Sequence, residues 1–157
     1  MITVRLSMPE DVRLLAPRLC AADVQELQAS SGSTPEAALT SGLNSPDACL
    51  TGTKETGEPI LMFGTVPHPR DPSVGLVWLL SSEEVLNHRT DFLRKSRHYM
   101  DVFARKYPIL MNFTDCRNTV HHRWLRWCGF AFLKTVTGLG TGGHPFYKVA
   151  RVRSVHV

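Results

Sequence analysis

The chain has 157 residues, 43 % hydrophobic and 20 % charged, a composition ordinary for one globular domain with a core of its own. Its longest apolar runs, "PILMF" and "GLVWLL", are too short to span a bilayer, and "MITVRLSMPED" lacks the apolar core of a signal peptide. A net charge of +4 is compatible with an anionic partner and selects none, while four widely spaced cysteines (Cys20, Cys49, Cys116, Cys128) read as buried free thiols.

The first segment, "ITVRL", alternates and is β-branched, which predicts a strand. In "SMPE", Ser7 can cap a following helix, with Pro9 in its first turn and Glu10 completing a capping box. That helix should run through "DVRLLAPRLCAADVQELQAS" with a bend or break near Pro17. "SSGSTPEAALTSG" repeats the start grammar, with Ser33 or Thr34 as cap, Pro35 inside and a stop at Gly42. "ACLTGT" and "EPILMFGTV", joined by "KETG", form a hairpin, and the prolines of "PHPRDPSV" mark a loop. "GLVWLL" is apolar on both faces, so it reads as a buried central strand.

"NHRTDFLRKSRHYMDVFARKY" carries an apolar helical stripe that ends at Pro108. "ILMNFTD" is a strand, and "RNTVHHRWLRWC" is a helix closed by Gly129. "AFLKTV" and "FYKVARV" are strands around the glycine-rich turn "TGLGTGGHP". The order β, α, α, β, β, β, α, β, α, β, β predicts a single α+β domain over residues 1–157, a seven-stranded mixed sheet flanked by about four helices.

That order, with Asn118 opening the last helix and Gly129-Phe130 closing it, resembles the GNAT family of acyl-CoA-dependent N-acetyltransferases. The segments "FLRKSRHYMD", "YPILMNFTDCRN", "HHRWLRWCGF" and "GGHPFYKVAR" resemble, more narrowly, a small GNAT-like internal virion protein family of short-tailed bacteriophages. The first resemblance implies a GNAT fold with acetyl-CoA as cofactor if the chain is active. The second implies a virion-associated protein working through contacts with other phage virion proteins, located in the virion or in host cytoplasm.

Three requirements of acyl transfer can be tested on the residues. GNAT enzymes hold the CoA diphosphate on backbone N–H groups of a Gln/Arg-x-x-Gly-x-Gly/Ala loop before a helix. Here "SSEEVLNHRTDFLRK" stands at that place, with no glycine between Gly75 and Gly129. His88, Arg89 and Asn118 are the candidate cofactor-binding residues, and Glu83 and Glu84 would repel phosphates unless turned away. The family's acid tyrosine maps onto Leu125, which has no proton to give. His121 or His122, flanking Arg123 on the helix surface, could substitute as acid–base groups. For the substrate amine, Asp23, Glu26 or His68 are possible acceptors.

Two adjacent helical histidines point about 100° apart and cannot chelate one ion, so no metal site is expected. Trp124, Leu125, Trp127 and Cys128 suit a core face, with Arg123 and Arg126 on the solvated side. "TGLGTGGHPF" joins two strands, so it suits a flexible hairpin or contact surface better than a phosphate loop. The leading expectation is a virion component with a GNAT-like fold. The alternatives are an active acyltransferase on a host or phage protein amine and, behind it, a basic nucleic-acid-binding module.

Overall fold

A computed structural model describes residues 1–153. Seven strands form one sheet: β1 (Thr3–Leu6), β2 (Cys49–Thr53), β3 (Pro59–Pro67), β4 (Val74–Ser81), β5 (Ile109–Asp115), β6 (Ala131–Val136) and β7 (Phe146–Val152). Their order is β1-β2-β3-β4-β5-β7-β6, and every neighbouring pair is antiparallel except β4 with β5. The expected seven-stranded α+β sheet is therefore present, with β4 at its centre.

The helices are α1 (Pro9–Leu15), α2 (Ala21–Ser30), α3 (Pro35–Leu43), α4 (Arg89–Lys106) and α5 (Thr119–Trp127). There are five rather than about four because the chain breaks, rather than bends, around Pro17. A 3-10 turn, Ala16–Arg18, follows α1, and Leu19 then pairs as an isolated bridge with Ser82 before α2 begins. Proline supplies no N–H for a continuing helix, and the extended residues after it tie the break to the end of β4.

Two local expectations also change. Pro9 occupies the first position of α1, which moves the cap to Met8. Its N–H donates to Asp11 Oδ2 at 2.8 Å, so Asp11 rather than Glu10 closes the box, and Ser7 Oγ instead meets Thr51 Oγ1 at 2.7 Å. Gly42 does not stop α3, which runs on to Leu43. It is buried inside the helix, where an added Cβ would lie 2.3 Å from the Trp78 ring. Thr34 caps this helix as expected, accepting from Ala37 N at 3.2 Å.

Each face of the sheet has its own core. α1, α2 and α3 cover one face through Val12, Leu15, Leu19, Leu39, Met62 and Leu80. α4 and α5 cover the other through Phe63, Val77, Met100, Phe103, Trp124 and Leu125. On α5 the buried side consists of His121, His122, Trp124 and Leu125, while Trp127 keeps 38 % exposure with the Arg97 guanidinium 3.4 Å over its ring. Gly129 closes α5 at φ +92°, a left-handed turn that glycine adopts without a Cβ clash. All four cysteines are free. Among the described residues no helix is long and apolar enough to cross a membrane.

Candidate active site

β4 and β5 pair only where Val74, Gly75 and Leu76 meet Ile109, Leu110 and Met111. Beyond that point they part: Val77–Ser81 stays with β3, and Asn112–Asp115 stays with β7. Helix α2 lies across the parting with two carboxylates one turn apart. Asp23 Oδ2 accepts from Ser81 N at 2.9 Å, and Glu26 Oε1 accepts from Asp115 N at 2.6 Å and Thr114 Oγ1 at 3.1 Å. Ser81 O accepts from Cys20 N at 2.9 Å, so both backbone groups of Ser81 face away from β3. The alternation of an antiparallel ladder gives Leu79 the same orientation, which turns its N–H and C=O into the opening.

The opposite wall is the start of α5. Asn118 caps it, its side-chain oxygen accepting from His121 N at 3.3 Å, while its Nδ2 is buried without a hydrogen-bond partner. Ser82 Oγ is likewise buried and unpartnered. His121 is 9 % exposed, 5.1 Å from the Trp124 ring and within electrostatic reach of Asp23. Burial lowers its pKa to about 4, so the imidazole is neutral at physiological pH. Burial raises the pKa of both Asp23 and Glu26, against the backbone donors that favour their charged forms. The Cys20 thiol is pushed up to about 11 by burial and then by Asp23, which leaves it protonated and a poor nucleophile.

The sequence-derived candidates fall into different places. His121 and Asn118 line the parting. His122 is also buried, not on the surface, but its Nε2 lies 2.8 Å from Asp115 O and its ring packs edge-on against Phe132 and Tyr147. That contact ties α5 to the end of β5. The buried face of α5 displaces both histidines from the solvated side because Trp124, Leu125 and Cys128 share that face with them. Asp23 and Glu26 are in the site, whereas His68 is not: its Nδ1 accepts from Arg70 N and Asp71 N at 3.1 Å each and shapes an exposed turn.

His88 and Arg89 sit where a 3-10 turn, Glu83–His88, runs into α4, and neither has a side-chain partner among the described residues. Glu84 is turned away into ion pairs with Arg18 at 3.0 Å and Lys54 at 2.8 Å, while Glu83 stays exposed. The open edge at Leu79 and the unpartnered Asn118 amide suit the amide-bearing arm of CoA. His88 and Arg89, at the entry to α4, are the cations that could meet a diphosphate there. Leu125, onto which the resemblance places the acid tyrosine, is fully buried. No cluster of three or more potential metal ligands occurs among the described residues.

The sequence reading missed the main-chain donors at Ser81 and Asp115, because a backbone amide carries no residue signature. Trp124 lies on the core face of α5, as its spacing predicts. Trp124 Nε1 donates to Ser96 Oγ at 2.9 Å and its ring stacks on Phe92 at 6.2 Å, which closes the seam between α4 and α5. The space left beneath it is about 20 Å³, bounded by Ile2, Phe63, Leu79 and Phe92, room for little more than a water.

No protein-family model and no curated protein sequence matches the chain. Solved structures do. Ard1 from Thermoplasma volcanium is similar over 98 % of this chain and 99 % of its own, with a TM-score of 0.76 at 12 % identity. The aminoglycoside acetyltransferase AAC(6')-Ib in complex with coenzyme A gives 0.71 at 16 % identity, covering 98 % of this chain and 95 % of that one. An acetyltransferase of the GNAT family from Streptococcus pneumoniae gives 0.65 at 12 % identity, over 98 % and 100 %. The fold is that of the GNAT acetyltransferases. In this chain the central strands part after Leu76, Gly129-Phe130 follows α5, and no glycine stands between Gly75 and Gly129. None of these three structures is a virion protein, so the virion reading stands on the sequence resemblance alone.

Proposed function

We propose that the chain is an acyl-CoA-dependent N-acyltransferase whose chemistry takes place where β4 and β5 part. The observation that carries this reading is the gathering of buried Asp23 and His121 with half-buried Glu26 at that point, ionisable groups at the centre of a GNAT fold. Buried groups with displaced pKa values in a cleft are what acid–base chemistry requires.

The CoA thioester would supply the activated acyl carbon. The open edge of Leu79 would hold its arm by backbone hydrogen bonds, with Asn118 Nδ2 as a further donor. An amine attacking a thioester must lose a proton, and the departing thiolate must gain one. A carboxyl with a raised pKa can do both, so Asp23 is assigned the proton transfer. Burial holds the Asp23 carboxyl up against the Ser81 amide and His121, which both draw it down. An arm reaching Leu79 from the α4 side displaces Trp124 from Ser96, which makes indole fluorescence a reporter of binding.

The test is calorimetry with acetyl-CoA at low salt, followed by thiol release with a panel of amines. Binding with a Kd of roughly 10 µM or tighter, about 7 kcal/mol, is the expected result. Asp23→Asn should keep that binding and lower kcat by about a hundredfold or more. No heat and no thermal stabilisation at millimolar acetyl-CoA would remove the proposal.

A further inference from the structure

All 14 Asp and Glu residues lie at or before Asp115, whereas seven of the 18 Lys and Arg follow it. The fold turns this asymmetry in sequence into one in space, because the described residues after Asp115 include β7 and β6, which end the sheet. Some of these cations are neutralised: Arg117 pairs with Asp115 at 2.7 Å and Arg151 with Asp101 at 2.6 Å. Lys134 and Lys148 form no ion pair among the described residues, and they stand directly opposite each other on β6 and β7. Like charges in that position repel.

The register extends the row by one more residue, since Lys148 is opposite Phe113 on β5. Phe113, Lys148 and Lys134 therefore cross three strands side by side. They share the face turned away from Val149 and Leu110, which pack toward α4 and α5. Lys134 is exposed, and Phe113 and Lys148 are half-buried. One aromatic ring in line with two unpaired ammonium groups on a sheet face is a combination suited to a base and its flanking phosphates. An acidic polypeptide would satisfy the lysines but has no use for the ring.

The geometry points to a binding face for single-stranded nucleic acid on β5, β7 and β6, centred on Phe113, Lys148 and Lys134. It lies on the chain independently of the acyl-transfer reading, and either can hold without the other.

Anisotropy of a fluorescein-labelled 20-nucleotide single strand, titrated with the full chain between 20 and 200 mM salt, tests this. Binding should weaken steeply with salt. The Lys134→Ala, Lys148→Ala variant should reduce the slope of log affinity against log salt by about 1.4, two phosphates at roughly 0.7 each. Phe113→Leu should weaken binding by about tenfold at unchanged slope, the mark of lost stacking. Circular dichroism checks that each variant is folded, and Arg123→Ala, Arg126→Ala on the outer side of α5 is the positional control. No binding at 20 mM salt overturns the inference, as does a slope that falls with the arginine control but not with the lysines. Capture of polyglutamate in place of the oligonucleotide would equally overturn it, in favour of an acidic protein.

Discussion

The imidazole of His122 has a fixed partner in the carbonyl of Asp115, whereas that of His121 has burial and the Asp23 carboxyl for neighbours. This difference yields a pH signature. His121 falls from its ordinary 6.5 to about 4 in the fold, so between those values the unfolded chain binds a proton that the native chain does not. Native stability then drops as pH falls through that window, by on the order of 3 kcal/mol at about 1.4 kcal/mol per unit. Asp23 and Glu26 act in the opposite sense. Their raised pKa values give a contribution that is full below the ordinary carboxylate range and is lost as pH rises. The wild-type curve mixes the two, and comparison with His121→Phe separates them. In urea unfolding at pH 7 and pH 4, the stability difference between wild type and variant should shift toward the variant by up to about 3 kcal/mol at the lower pH. Parallel curves would mean that His121 is not held neutral.

At the scale of elements, Gly42 separates a packing role from a stop signal. Alanine there should favour the helix by up to about 1 kcal/mol. Its Cβ, however, would enter the Trp78 ring at 2.3 Å, and overpacking costs about 1–3 kcal/mol. Thermal unfolding of Gly42→Ala should therefore show a net loss of roughly 1–2 kcal/mol, with Ser41→Ala on the exposed side of the same helix neutral or better. A stabilised Gly42→Ala would return that glycine to a terminating role. The same residue shows why some elements were legible and others not. β5, β6 and β7 have the residue bounds expected from sequence, because Pro108, Gly129 and the glycine run punctuate alternating β-branched segments. Gly42 carries the same letter as a helix stop, and only its distance to Trp78 tells the two apart. Ser7 was misread for a comparable reason, since Pro9 moves the cap by one residue. Sequence offers Asp23 and Glu26 as possible acceptors alongside His68 but does not single them out, because their partners are amides of Ser81 and Asp115, 58 and 89 residues away.

Across the whole molecule the sheet is two half-sheets, β1 to β4 and β5-β7-β6, joined at their centre by the short parallel run from Val74 to Leu76. α2 holds them a second time, with Asp23 on the last residue of β4 and Glu26 on the last residue of β5. Removing both acceptors leaves the Ser81 and Asp115 amides in the opening without partners. A buried unsatisfied group costs about 1–3 kcal/mol, so local opening should become roughly five- to a hundredfold more frequent. Hydrogen exchange of Asp23→Ala, Glu26→Ala should show that acceleration at Ser81 and Asp115, with Met62 and Leu80 in the β3–β4 ladder unchanged. Asp23→Asn, Glu26→Gln retains an acceptor oxygen at each position and should keep both amides slow. If exchange instead rises evenly across the sheet, α2 belongs to a single cooperative core. The two half-sheets would then open only on global unfolding, and a ligand would have to enter the parting without moving α2.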